Sequence, residues 1–215
     1  NDLFDIGIRA SDDAVVYRVG VNYNNFFANY GTSYRNPTIY ERVGDVFVLS
    51  NPDLDPEKAQ GAELGDGPIG VFYYDFSEGI DYNFASSQFT NTGKYTTEGV
   101  RFIDTYSNAY GSVSLFLGYT DSDQPRVPEF KSAVRFNFNI DSYLVSLNFV
   151  NQFNRGVDFD GTEIDDINTA DFVFSKDFNG INLAFTVQDL FDNEFEVTPG
   201  YAAGGRRFFL TLSYN

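Results

Sequence analysis

Residues Gln188 to Asn215, QDLFDNEFEVTPGYAAGGRRFFLTLSYN, decide the fold class. Counted back from the end, Tyr214, Leu212, Leu210 and Phe208 are apolar at every second place. Asn215, Ser213, Thr211 and Arg207 take the opposite parity, with Phe209 the one apolar residue among them. A strand whose two faces meet two different environments needs that period of two. Just upstream, Ile181, Leu183, Phe185 and Val187 alternate with Asn182, Ala184, Thr186 and Gln188, so two such strands flank one Gly-rich loop. These two strands alone suit a soluble antiparallel sandwich as well as they suit a membrane barrel.

Composition narrows the function classes. A chain of 215 residues holds one or two domains and is long enough for a substantial core. It has no Cys and no His, which removes disulfides, thiolate metal sites, the commonest general base and any Ser-His or Cys-His pair. No catalytic residue is assigned. A net charge of −17 opposes nucleic-acid binding, which needs a cationic face to displace counterions. No run of about 18 apolar residues is present, so no membrane-spanning helix is expected. A barrel strand escapes that test because only alternate residues are apolar. Asn1 does not open a charged and then apolar leader, so any signal peptide is expected either to have been removed or to lie upstream in a longer protein.

Taken from the start, DIGIR (Asp5 to Arg9) reads as a short strand, and Val15 to Tyr23 as a second that returns through Asn24-Asn25 into Phe26 to Ser33. Prolines at 37, 52 and 56 predict a long loop over Tyr34 to Lys58, with one helical turn near Thr38 to Glu41. Strands follow around Ala62 to Leu64 and Phe72 to Phe76, then a polar loop over Phe84 to Gly93, then Tyr95 to Tyr106. Val113 to Tyr119, Val134 to Ile140, Val145 to Phe149 and Ala170 to Phe174 complete the set, interrupted by the loop DSDQPRVPE and the acidic loop Arg155 to Asp166. That is roughly 12 strands. Tight joins fall at Asn24-Asn25, Asp66 to Pro68, Asn108 to Gly111, Asp141-Ser142 and Asn179-Gly180, and all but the first of the intervening joins are long. Short turns on one rim and long loops on the other are how outer-membrane barrels are built.

The two faces agree. One carries aliphatics and aromatics, with Tyr23, Tyr30, Tyr119 and Tyr214 near strand ends, where an interfacial girdle would lie. The other carries Arg18, Asn22, Arg135, Asn137, Asn139, Asn148, Asn182 and Gln188. In a dry sandwich core each of these would cost a few kcal/mol if unpartnered, whereas a wet or plugged lumen removes that cost. The expected fold is all-β, an antiparallel transmembrane β-barrel. A self-contained 12-stranded pore and a secreted β-sandwich adhesin are the rivals.

Six blocks then carry a family resemblance: GTSYRNPTIYE (Gly31 to Glu41), NPDLDPEKAQGAELG (Asn51 to Gly65), NTGKYTTEGVRF (Asn91 to Phe102), PRVPEFKSAV (Pro125 to Val134), DLFDNEFE (Asp189 to Glu196) and PGYAAGGRRFFLTLSY (Pro199 to Tyr214). Together they resemble the C-terminal half of a TonB-dependent outer-membrane receptor. GTSYRNP, GIDYN (Gly79 to Asn83) and GYAAGGR are most similar to the vitamin B12 (cobalamin) branch, while siderophore receptors share much of the same grammar. The resemblance implies that residues 1–215 are the C-terminal part of a 22-stranded barrel, with the N-terminal plug and first barrel strands absent. It further implies active uptake of a scarce nutrient bound at extracellular loops, and a location in the outer membrane of a Gram-negative bacterium. The implied partners are the TonB complex through the absent plug, a small nutrient ligand, membrane lipid and lipopolysaccharide, and the barrel-assembly machinery, which commonly reads a terminal aromatic where this chain has Asn215.

By that resemblance Arg126 and Tyr201 match ligand-contacting places of the cobalamin branch, and Tyr34 and Arg35 are further candidates. An Arg grips carbonyls or phosphate in a fork, and a Tyr offers a rigid face and one hydroxyl. The structural alternative pairs Arg126 with a loop carboxylate such as Asp123 and packs Tyr201 on its neighbours. Asp158, Asp160, Glu163, Asp165 and Asp166 gather the oxygen ligands calcium prefers, but without EF-hand spacing, so a solvated acidic loop is the preferred reading and no cofactor is assigned. Gly161 and Gly204-Gly205 read as turn formers.

Overall fold

The computed structural model of the protein describes residues 3–10, 14–124, 126–157, 161–198 and 200–214. Its strands are β1 (Leu3–Ala10), β2 (Val15–Tyr23), β3 (Phe26–Arg35), β4 (Glu57–Asp66), β5 (Ile69–Ser77), β6 (Ile80–Asn83), β7 (Gln88–Asn91), β8 (Tyr95–Asn108), β9 (Gly111–Ser122), β10 (Phe130–Ile140), β11 (Tyr143–Phe153), β12 (Ile167–Phe178), β13 (Ile181–Gln188), β14 (Glu196–Thr198), β15 (Tyr201–Ala202) and β16 (Arg207–Tyr214), with one helix, α1 (Ile39–Val43). Twelve form a single antiparallel sheet in the order β1-β2-β3-β4-β5-β8-β9-β10-β11-β12-β13-β16, and β6-β7 and β14-β15 are separate hairpins. The chain divides into two compact units, Asn1–Gly99 with Asp121–Gln124, and Val100–Thr120 with Pro125–Asn215.

Register fixes the faces of each unit. In the second, paired residues line up as Phe136, Leu147, Phe172, Val187 and Phe208 on one face. Arg135, Asn148 and Asp171 form a row on the other. Polar side chains there bridge strands: Ser146 Oγ donates to Asn137 Oδ1 at 2.8 Å, and Asn137 Nδ2 donates to Ser112 Oγ at 3.3 Å. Much of the apolar face is open within the unit: Leu210 and Leu212 of β16 are 73% and 71% exposed, while Ala170 and Val187 on the same face are buried. A soluble monomer rarely leaves a contiguous patch beyond a few hundred Å² open to water. Among the described residues the buried apolar side chains are few, and Val48, Leu54 and Ile164 of these sit in loops. The sheet is a wall, and its polar face is not an oil-like core.

The first unit has the same alternation with one departure. Ile6, Val19 and Tyr30 share the apolar face by register. Gly7, Arg18, Gly31, Gly61 and Tyr74 form a row on the polar face. Phe72, Tyr74 and Phe76 therefore lie on the polar face, although aromatics are expected on the apolar one. Space explains it. A Cβ on Gly61 would stand 2.1 Å from Tyr74 Cδ1, so the absent side chain is what lets the ring lie flat across β4. The Tyr74 hydroxyl donates to the Glu63 carboxylate, which satisfies the one polar atom of the ring. The ladder continues into Tyr95, whose ring stacks on Phe76 with centroids 4.5 Å apart.

Candidate functional site

At the long-loop end of the first unit, β3 runs through Arg35 and β4 starts at Glu57, so the connection is shorter than the predicted loop over Tyr34 to Lys58. The predicted helical turn is present as α1. Thr38 caps it: its hydroxyl accepts from Glu41 N–H at 3.2 Å, and Glu41 Oε2 accepts from Thr38 N–H at 2.6 Å, a reciprocal capping box. The predicted polar loop Phe84 to Gly93 contains strand β7, which pairs with β6. The two connections fold together. Asn51 Nδ2 donates to Phe89 O at 2.8 Å, Asn91 Nδ2 to Asp55 O at 3.0 Å, and Leu54 beneath them is 3% exposed.

Arg35 ties this assembly to the wall. Its Nε donates to Glu57 and its Nη1 to both Glu41 oxygens at 3.0 Å. Glu57 also accepts from Ile80 N–H at 2.8 Å, so one guanidinium joins β3, β4, α1 and β6. Tyr34, next in sequence, has the opposite parity and pairs by register with Lys58, on the face of Tyr17 and Tyr30. The two candidates therefore point to opposite sides of the sheet.

Burial alone would raise the Glu41 carboxyl, but the bonds from Arg35 and Thr38 outweigh it and hold it below its ordinary value of 4.5. A depressed carboxyl contributes stability above its unfolded value and loses it as pH falls through the folded one. The protection of the α1 amides, taken as exchange relative to the intrinsic rate at each pH from about pH 6 down to about pH 3, is expected to fall below the ordinary value in the native protein. In Glu41→Gln that protection is expected to be low throughout. Protection that is unchanged by Glu41→Gln across the range contradicts the assignment.

The sequence gives no warning of the loop tip at Val46-Phe47. Asp45 Oδ1 accepts from Phe47 N–H at 2.7 Å and from Val48 N–H at 3.0 Å, a turn that leaves Phe47 83% exposed. Ile39 and Val43, one turn apart on α1, are also exposed, so this loop end presents apolar side chains to its surroundings.

In the second unit, Arg126 is half-buried with φ +65, a left-handed conformation uncommon outside Gly. Tyr201 opens β15 opposite Thr198 of β14 and is 73% exposed, so it stands clear of its neighbours. Asp123, of the first unit, accepts from Thr96 N–H at 3.0 Å and Thr96 Oγ1 at 2.9 Å, bonds that lower its carboxyl.

Of the acidic-loop candidates, Asp158 and Asp160 lie outside the described residues. Asp166 Oδ1 accepts from Asn154 N–H at 2.9 Å, and Asp165 O accepts from the buried Arg155 at 2.9 Å. Glu163 forms an isolated bridge with Val157. Among the described residues no three acidic side chains converge on a common point. Arg155 also reaches Glu196 O at 3.0 Å, and burial lowers its guanidinium against the pull of Asp165 and Asp166. DLFDNE is a brace: Asp189 N–H donates to Asp171 at 3.0 Å, Asn193 N–H to Asp189 at 3.0 Å, and Asn193 Nδ2 to Asn168 O at 2.7 Å.

Comparison with known proteins matches this geometry. A family model described as TonB dependent receptor-like, beta-barrel matches residues 2–202. Among solved structures, the ferric enterobactin receptor PfeA of Pseudomonas aeruginosa is similar with a TM-score of 0.72 at 14% identity, over 94% of this chain and 40% of that one. The copper transporter OprC gives 0.70 at 14% identity, over 94% and 39%. The siderophore receptor PirA from Acinetobacter baumannii gives 0.66 at 16% identity, over 94% and 41%. At such identities the likeness is one of fold, and the chain spans about 40% of the length of these receptors.

Proposed function

We propose that this chain, which belongs to the TonB-dependent receptor-like β-barrel family, is part of the wall and loops of an outer-membrane active-transport receptor that binds a scarce metal chelate outside and imports it with TonB-derived energy. The observation that carries this reading is the family match over residues 2–202 on a sheet with short turns at one end and structured loops at the other. The function is uptake rather than catalysis. A metal chelate is favoured over cobalamin because the similar structures named above are receptors for ferric enterobactin and siderophores and a copper transporter. The cobalamin reading has the short sequence blocks alone behind it. Arg126 and Tyr201 are the proposed contacts, a forked cation for chelate oxygens and an exposed ring. Arg35, held by two carboxylates, is a scaffold residue for the loops.

Cells carrying the intact receptor are expected to accumulate a ferric siderophore labelled with radioactive iron, and a protonophore is expected to abolish that accumulation. Arg126→Ala or Tyr201→Ala is expected to weaken binding about ten-fold, the loss of one charge-assisted or aromatic contact. Accumulation of labelled cobalamin in place of iron would assign the other cargo. Accumulation of either that ignores the protonophore contradicts energised transport.

A further inference from the structure

We infer that Lys176 binds the phosphodiester of a membrane glycerophospholipid at the short-turn end of β12, an inference that rests on the membrane-wall reading above. Lys176 has the parity of Phe172, Phe174 and Phe178, so the register places it on the apolar face, in a row with Tyr143 and Leu183. The other strand cations of the second unit, Arg101, Lys131, Arg135 and Arg207, have the opposite parity. Arg135 faces Asn148, Lys131 faces Gln152 and Arg207 faces Gln188 by register, and Arg101 has the parity of Thr105, which bonds Ser114. Lys176 is therefore the one strand cation on the apolar face among the described residues of the second unit, and the carboxylate that shares this face by parity, Asp104, is on β8, four strands away in the sheet order.

Its surroundings suit an interface rather than an ion pair. The ammonium lies 4.0 Å from the Tyr143 ring centroid and 4.7 Å from that of Phe178, and donates to the Tyr143 hydroxyl. Among the described residues no carboxylate is within ion-pair distance of it. An ammonium has three N–H groups, and the Tyr143 oxygen takes one. Two donors remain, and the Tyr143 O–H, whose oxygen is accepting, can itself donate outward. That makes a cationic donor set with a phenol at its side, two residues from the end of β12 and beside the turn at Asn179-Gly180. Short turns mark the periplasmic rim, and Lys on a lipid-facing surface reaches for the headgroup level there, where its aliphatic stem stays in hydrocarbon. In a chain of net charge −17, an unpaired outward cation at that level calls for an anion supplied by the bilayer.

The test uses the intact receptor in a neutral detergent, titrated with phosphatidylglycerol, with diacylglycerol of the same acyl chains, and with inorganic phosphate, the retained lipids being counted by native mass spectrometry. The native protein is expected to hold one phosphatidylglycerol about five-fold more tightly than Lys176→Met does. Lys176→Arg is expected to keep the advantage, and neither diacylglycerol nor millimolar phosphate to replace the lipid. Equal retention of phosphatidylglycerol and diacylglycerol, or no difference on Lys176→Met, overturns the site and leaves the membrane wall standing. Displacement by inorganic phosphate also overturns it, since the source would then be free anion. A protein that takes up no lipid of any kind and stays soluble without detergent overturns the site and the membrane reading together.

Discussion

Leu147→Arg is expected to destabilise the membrane-inserted protein by about 2–4 kcal/mol, the cost of a guanidinium on the lipid face near the bilayer midplane. Leu147 is close to the middle of β11 and lies in one row with Phe136 and Phe172. No carboxylate occupies that row, and neither end of the strand is close enough for the side chain to reach water easily. Asn148→Arg, one residue on, is the matched control. It shares a row with Arg135 and Asp171 on the polar face, where the new cation meets an opposite charge and a wet interior. Its cost is expected to be under about 1 kcal/mol. Guanidinium unfolding of the intact receptor from lipid vesicles measures both. Similar costs at 147 and 148 would mean that the two faces meet the same environment, and the barrel reading would fail.

The second large effect is expected from Gly111→Ala. Gly111 has φ +151, and a Cβ there would stand 1.9 Å from the carbonyl oxygen of Asn137 on the neighbouring strand. The conformation alone costs a non-Gly residue about 1–3 kcal/mol. The clash adds to it, because the obstacle is backbone held in the β9-β10 ladder and cannot swing aside as a side chain would. The expected result is a loss of at least that size, together with slow or incomplete folding, read from the heat-resistant folded fraction on a gel. A Gly111→Ala protein that folds with native yield and stability contradicts the described turn.

The fold was legible because a strand between two solvents writes its faces into alternate residues. The rows containing Leu147, Phe172 and Val187 follow from parity alone, and the tight joins at Asn24-Asn25, Asp141-Ser142 and Asn179-Gly180 stand where their turn residues put them. Parity cannot say which of two apolar-looking registers faces in, and the place of Phe72, Tyr74 and Phe76 on the polar face depends on the room that Gly61 leaves for the Tyr74 ring across the ladder. The hairpins β6-β7 and β14-β15 are too short for alternation to register, and they exist because side chains far away in sequence, such as Asn51 and Arg155, take up their carbonyls. The site was less legible still. Tyr34 and Arg35 are adjacent letters and look like one motif, yet adjacent strand residues point opposite ways, and Arg35 is engaged by Glu41 and Glu57. Arg126 and Tyr201 owe their candidacy to resemblance, and their local conformations, a left-handed backbone and an exposed ring, fit a role outside the wall.

The most direct measurement is a spin-label scan along β11. Residues 1–215 contain no Cys, so a single Cys for labelling can be introduced at one position at a time from residue 144 to residue 150, in the intact protein with any cysteine outside this stretch replaced, reconstituted in liposomes. Collision with oxygen, which concentrates in hydrocarbon, is expected to peak at residues 145, 147 and 149. Collision with a water-soluble nickel complex should not rise at those three positions, and oxygen contact should drop at 144, 146 and 148. Oxygen and nickel accessibilities that show no period of two along this strand would contradict the barrel reading.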